Sequence, residues 1–578
     1  MSKKVRMRII FLALAGILCI LPFFLKPVYF MEPDDYLLNF IANGSYGAAY
    51  SPWLVFIQYP AGMLLKGLYA LTTAVNWYAV LLVGADLLAF FVLYCCIWEY
   101  TRSWPGVVLL ALVNGACSYY FLTFTVSAFL TAAAGFALLA CSLKDKIPEK
   151  EKSKENKEDR TTKDVRQSGI PAGILGAVLI WIGYCLRSDT LIPMFACALP
   201  LLLHICLTWW KTTQGGVGAK IAGVLRTGLR KAWAAVLILL VLVGGTSWIE
   251  KQAYSSDEWK SYMDFTDARG YAVDYPTLDY NVHREEFEAL DVSNTDYAML
   301  VSWKFAEKQV FTVEKMNAIG ALEAKHIVLE GRLRVASEQL DSLGKFLILL
   351  PLMVYVMLLL TSRRYPWKAG LLTVLMEFAL AAALLFIRMR FVLRVELPIS
   401  VAAVVMLLLL QESKEIRKAA AAILICVIAA GWIWFVHGFH QSSGERRRPP
   451  DSKAHAELKQ EIASNPDVFY IMDGGSLSTL FYYNRPVTQV KTTDLFQNVL
   501  RSGSWDTFSP RYYHQVEGKL ANPDNLLTSL RGYTNLRFVS TDAGLLRGFL
   551  EEHTELECKP VETEYENTPF KVYQFAVD

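Results

Sequence analysis

Three carboxylates, Glu32, Asp34 and Asp35, sit in the line YFMEPDDYLLNFIANGSYG, directly after the first long apolar stretch of the chain. Acids at a membrane edge cost desolvation unless they face water, a cation or a reacting group. Two more charged clusters border apolar stretches: Arg187 and Asp189 in LRSDTLIP, and Arg388, Arg390, Arg394 and Glu396 in FIRMRFVLRVELP. Carboxylates beside arginines suit transfer from a phosphate-linked donor. A sugar on a polyprenyl phosphate already has a good leaving group, so one carboxylate suffices as general base toward an acceptor hydroxyl. A glycosidase, with its alkoxide leaving group, needs an acid partner as well. Arginines, with or without a divalent cation, would hold the phosphate and stabilise its growing charge.

Asp34 and Asp35 are neighbours and cannot point the same way on a helix, so they should have separate jobs. Arg390 and Arg394 have the i, i+4 spacing of one helix face. Glu32, Asp189 and Glu396 are auxiliary or cation-binding candidates. Glu32, Asp34 and Asp35 can offer oxygen ligands to Mg²⁺, Mn²⁺ or Ca²⁺, although the sequence sets no ligand count. The bland reading of the same residues is a solvated turn at Pro33 and Asp34. It pairs Arg187 with Asp189 and Arg394 with Glu396, or lets the arginines snorkel to the interface.

The elements that must position these groups are membrane helices. Of 578 residues, 54% are hydrophobic, and the mean hydropathy is +0.30, which excludes an ordinary soluble enzyme and predicts a mainly α, polytopic membrane protein. The net charge of +3 comes without a basic tract interleaved with aromatics, so no nucleic-acid partner is expected. All of the 10 cysteines except Cys558 lie in apolar segments, a packing pattern and not a disulfide framework. No His/Cys spacing resembles a zinc site, and His437 with His440 reads as an interfacial pair.

The basic start MSKKVRMR precedes the apolar run Ile9 to Leu25 with no cleavage site, which predicts an uncleaved first span with its N-terminus inside. Further spans are expected at Trp77 to Trp98, Trp104 to Leu122, Thr125 to Cys141, Ile170 to Leu186, Leu191 to Trp210, Ala232 to Trp248, Lys345 to Leu360, Ala369 to Ile387, Phe391 to Leu410 and Ala419 to Val436. That makes about eleven, with the strongly basic loops on one side. Residues 143–168, of mixed charge and nearly free of apolar side chains, read as a disordered inner loop.

Three segments fall outside in this arrangement. In the loop 31–76, Trp53 to Leu71 reads as surface helices with Trp53, Tyr59 and Tyr69 at headgroup level. The loop 250–344 shows helical spacing over Asp296 to Val310 and Val313 to Leu343, and its acids Asp264, Asp267 and Asp274 with Arg269 read as surface or as cavity groups. After a membrane domain 1–437 and the linker GERRRPPDSK, residues 438–578 read as an extracytoplasmic α/β domain. Its helix is AHAELKQEIA and its strands are VFYIMDGG, LRFVST and FKVYQFAV.

One inside-starting span, a long loop opening on paired acids, many spans and an outer C-terminal domain together resemble the glycosyltransferase-C superfamily, which includes protein O-mannosyltransferases, aminoarabinose transferases and cell-wall arabinosyltransferases. The residues carrying the resemblance are EPDDY at 32–36 and SPWLVFIQYPAGMLL from Ser51 to Leu65, similar to the proline-containing helix of that loop. The resemblance implies Asp34 or Asp35 as catalytic base and Arg187 and Arg394 as donor-phosphate ligands. It implies a polyprenyl-phosphate sugar donor and a glycan, lipid or protein acceptor of the envelope. Two other classes compete. A transporter or lipid-linked-sugar flippase would use ionisable residues within spans, such as Asp86 and Glu377, and a non-catalytic scaffold would be indifferent to loss of both aspartates.

Overall fold

The structure, a computed structural model, describes the chain apart from residues 1, 47–48, 102–103, 145–168, 213–229, 328, 363, 412–417, 448–452, 483–484, 490–495, 518–519, 521, 529–534, 541, 555–557, 561–570 and 576–578. Residues 145–168 of the expected inner loop and 448–452 of the linker thus lie outside the described residues, whereas Leu143 and Lys144 still belong to the helix Phe124–Lys144.

Among the described residues, seven helical segments are long and apolar enough to cross a membrane: Lys3–Leu25, Trp77–Thr101, Phe124–Lys144, Ser188–Thr212, Trp233–Ala253, Ser342–Thr361 and Trp367–Ile387. The protein is membrane-embedded and mainly helical. At the other expected spans stand the helices Trp104–Tyr120, Gly169–Leu186, Leu393–Leu409 and Lys418–Arg447. The first and third have only 17 residues, about 25 Å of rise against a hydrocarbon core of about 30 Å.

Phe124–Lys144 is the central helix: unlike Trp233–Ala253, which is exposed along most of its length, it is buried along almost the whole of its own. It crosses Gly169–Leu186 at close range. A Cβ added to Gly135 would meet the Gly176 carbonyl at 2.6 Å, and one added to Gly183 would meet the Ala128 carbonyl at 2.6 Å. In lipid, helices gain little from hiding apolar surface, so such small-residue contact supplies the dispersion energy instead. The crossing also sets where Arg187 leaves the second helix. Gly183→Val should force the backbones apart, costing on the order of 1–3 kcal/mol and lowering Tm in detergent; an unchanged Tm would remove this contact from the account.

The helix Pro33–Ala42 starts where the sequence dictates, with Pro33 at its first position and Asp34 and Asp35 in its first turn, where acids favour the helix dipole. The following helix, Tyr59–Leu71, has 13 residues and does not span. It buries Gly62, Leu65 and Tyr69 and exposes Met63, Leu64 and Leu71. Tyr69 was expected at headgroup level. It is instead buried, its hydroxyl donating to Asn39 Oδ1 at 2.8 Å and accepting from Tyr78 N–H at 3.0 Å. Trp53 packs at 5.6 Å against Trp259 of the helix Asp257–Val273.

The loop 250–344 is helical at Asp257–Val273, Arg284–Glu288, Asn294–Val301, Val313–His326 and Leu329–Gln339. The helix expected to reach Val310 stops at Val301 because Trp303 takes a left-handed φ of 58° and residues 304–308 run along the C-terminal segment. There Ala306 N–H donates to Ser502 O, Lys308 N–H to Asp524 O and Leu526 N–H to Ala306 O, each at 2.9 Å. Asp264 and Asp267 are exposed, while Arg269 is buried against Asp274 and under the Trp303 ring.

The C-terminal segment holds a five-stranded sheet of β1 (Phe469–Met472), β2 (Val499–Arg501), β3 (Leu536–Ser540), β4 (Cys558–Pro560) and β5 (Lys571–Phe575), in the order β2-β1-β3-β5-β4. β1 pairs parallel with β2 and β3, and β5 pairs antiparallel with β3 and β4. Three strands and the helix Lys453–Ser464 match the expected runs, whereas β2 and β4, with three residues each, carried no pattern to read. The expected boundary at 438 falls inside the continuous helix Lys418–Arg447. The domain packs on the first loop: Tyr36 stacks on Tyr482 at 5.6 Å, Phe40 meets Phe496 at 5.0 Å, and Val487 N–H donates to Val28 O at 2.8 Å. First loop, long loop and C-terminal domain thus make one cap on the helices.

Candidate active site

Arg394 is the centre of the charged cluster. It lies in the first turn of Leu393–Leu409, and its two terminal nitrogens take different acids, Nη1 at 2.9 Å from Glu32 and Nη2 at 3.5 Å from Asp34. Arg187 follows the helix Gly169–Leu186. It donates from Nη1 to Thr125 Oγ1 at 2.9 Å, lies over the Phe124 ring at 5.6 Å, and reaches the exposed Asp189 at 3.4 Å. Burial pulls the Arg187 guanidinium down from its ordinary range, Asp189 opposes this, the charge of Arg394 adds to it, and Asp34 opposes. Glu32, Asp34, Arg187, Asp189 and Arg394, from three separate segments, therefore share one site.

The two aspartates part company as neighbours on a helix must. Asp35 is fully buried; its Oδ1 accepts from Phe124 N–H at 2.8 Å and from Tyr78 Oη at 2.9 Å. Burial pushes its carboxyl up to about 7, against the lowering effect of hydrogen bonds from the Phe124 N–H, the Thr123 hydroxyl and Tyr78. Asp34 is 27% exposed and faces Arg394. It also accepts from Trp505 Nε1–H of the cap at 3.2 Å. The site is thus walled by aromatics, with Phe56 4.9 Å from Trp505 and 6.0 Å from Phe124.

Trp505 is the residue sequence reasoning missed. It sits in RSGSWDTFSP, 471 positions from Asp34, and no local pattern marks it. Trp505→Phe keeps the wall and removes one donor to Asp34. Once the function below is granted, the expected result is a roughly tenfold fall in turnover, the size of one hydrogen bond to a charged group, with an unchanged Tm; full turnover would make Trp505 wall only.

Three expected members lie elsewhere. Arg388 Nη1 donates to Tyr275 Oη at 3.3 Å, and Arg390 Nη1 lies 3.8 Å from Asp274. The reason is local: a π-helical turn at Ala383–Ile387 and a left-handed Met389 (φ 47°) break the helix, so Arg390 and Arg394 do not share a face. Glu396 does not pair with Arg394. It is buried beside Glu377 and accepts from Ser400 Oγ at 3.4 Å. The three carboxylates offered as cation ligands do not converge either, since Asp35 turns inward and Arg394 lies on both Glu32 and Asp34.

Three helices begin at this cluster, Pro33–Ala42, Phe124–Lys144 and Leu393–Leu409. The Phe124 N–H at the start of the second of these is taken by Asp35 Oδ1, which ties the first helix to the second. Comparison with family models, with curated proteins and with solved structures finds no match.

Proposed function

We propose that the protein is a membrane glycosyltransferase that moves a sugar from a polyprenyl-phosphate donor to an envelope glycan, lipid or protein acceptor on the outer side of the membrane. The observation that carries this reading is Arg394 held between Glu32 and Asp34, beside Arg187. The donor phosphate binds Arg394 and Arg187. To do so it displaces a carboxylate from Arg394, and Asp34, at the longer distance, is the one that leaves. Its release frees Asp34 as the base. The acceptor hydroxyl gives its proton to Asp34 while its oxygen attacks the anomeric carbon. The carbon–oxygen bond to phosphate breaks, and its electron pair stays on polyprenyl phosphate, neutralised by the two arginines. Asp35 anchors the helix and takes no proton from the acceptor.

Native mass spectrometry of lipids on purified wild type and Asp34→Asn protein tests this. Polyprenyl phosphate on the wild type and a polyprenyl-phospho-sugar trapped on the variant support transfer. Absence of any polyprenyl lipid on both forms removes the donor and the reading with it.

The second reading is a proton-coupled transporter or flippase, favoured by Glu377 and Glu396, two carboxyls fully buried within apolar helices. It requires the same glycolipid on wild type and variant.

A further inference from the structure

We propose that His283, Glu286 and His326 bind a divalent transition metal of the zinc class, with one coordination position left to water. His283 Nδ1 lies 3.1 Å from Glu286 Oε2, and His326 Nε2 lies 2.8 Å from the same oxygen. One ligand atom from each of the three residues can be chosen so that all lie within 4.8 Å of one another. Tetrahedral zinc with bonds of about 2.0–2.1 Å places its ligand atoms about 3.3 Å apart, so the two edges to Glu286 fit closely and the edge between the histidines, at most 4.8 Å, closes by turning the imidazoles. Two imidazoles and one carboxylate are also an ordinary zinc set.

A plain ion-pair network explains the arrangement less well. The imidazole rings are 4.3 Å apart, so charging both would place two cations together. Lys325 Nζ, 3.0 Å from Glu286 Oε1, already supplies that carboxylate with a counter-charge. Lys325 is largely exposed and can swing out when a dication enters. Neutral imidazoles turned toward a metal remove the crowding of positive charge.

The place gives the metal work to do. His283 directly precedes Arg284–Glu288, and His326 ends Val313–His326. The next helix, Leu329–Gln339, holds the irregular segment before Arg394: Arg332 Nη1 donates to Phe386 O at 3.0 Å, Gln339 Nε2 to Met389 O at 2.9 Å, and Phe391 N–H to Gln339 Oε1 at 2.7 Å. A metal would brace this chain of contacts at its start. The sequence hid the site because its ligands are His-x-x-Glu and a histidine 40 positions beyond the glutamate. The proposal does not depend on the transfer reading.

The test is zinc titration of the full-length, chelator-stripped protein in detergent, with metal counted per chain and Tm followed. Wild type should bind zinc stoichiometrically and gain Tm. His283→Ala and His326→Ala should each weaken binding by about 100-fold or more, the upper end of what losing even a supporting residue costs. His553→Ala, at the other cluster of Asp296, Glu552 and His553, should not. Lys325→Met, which removes the competing ammonium, should tighten it and remains informative if the histidine variants fold poorly. No stoichiometric zinc on wild type, zinc lost through His553→Ala alone, or Lys325→Met binding no tighter would each overturn the proposal.

Discussion

Asp34→Asn is expected to cut transfer by about 10²–10⁴-fold, the range for losing a general base, while Tm stays near that of the wild type. Asp34 is partly exposed and meets the Trp505 N–H through Oδ1 and the Arg394 guanidinium through Oδ2, so an amide whose oxygen faces Trp505 keeps the first contact while Glu32 still holds Arg394. Its neighbour behaves in the opposite way. Asp35→Asn keeps an oxygen to accept from Phe124 N–H and Tyr78 Oη, and it removes a buried carboxyl that titrates near 7. An unfolded aspartate titrates near 3.9, so between about pH 4 and 7 the folded state holds more protons than the unfolded one. Stability from this group is fully present below the unfolded value and is lost as pH rises through the folded value. Thermal unfolding from pH 4.5 to 7.5 should show the wild type losing Tm across the window, Asp34→Asn following it, and Asp35→Asn flattened. Release of polyprenyl phosphate from copurified donor measures the transfer arm. Equal loss of activity from both variants with no change in the pH profile would sink the division of labour between them.

How much of this could be read beforehand follows from the range of each interaction. The start of Pro33–Ala42 and the separate fates of Asp34 and Asp35 are local, set by Pro33, by the first-turn acids and by the geometry of adjacent residues. The gathering of Glu32, Arg187 and Arg394 followed from topology, since charges at span ends on one side must meet somewhere near that edge. What stayed hidden needed tertiary knowledge. The i, i+4 spacing of Arg390 and Arg394 is sound only if the helix is unbroken, and the left-handed Met389 breaks it. Glu396 is two residues from Arg394, which suggested a pair, yet it turns into the helix bundle toward Glu377. The cap was read as loops plus a linked domain because its joints are backbone hydrogen bonds of residues 304–308 and aromatic contacts such as Tyr36 on Tyr482. Neither leaves a periodic trace in the sequence, and the same holds for Trp505.

Arg394→Gln is expected to lower transfer by about 10²–10³-fold, the cost of removing one charge-stabilising donor, and to do so by losing the donor as well as the rate. The variant leaves Glu32 and Asp34 facing each other without their shared cation, with Arg187 as the one arginine against the acids of the cluster, so the site repels a phosphate more strongly. Arg394→Lys should recover little. One ammonium cannot span two carboxylates that the guanidinium holds through separate nitrogens at 2.9 and 3.5 Å. Donor retention then separates the two roles. In the wild type the phosphate competes with two carboxylates for Arg394; Asp34→Asn removes one competitor, so it should hold the lipid-linked sugar more tightly while failing to transfer it. Arg394→Gln should hold it less tightly, and the double variant should follow Arg394→Gln, because a released competitor has no effect once the cation is gone. Equal amounts of bound lipid on all four proteins would mean that Arg394 is not a phosphate ligand and that its pairing with Glu32 and Asp34 serves only to close the cap onto the helices.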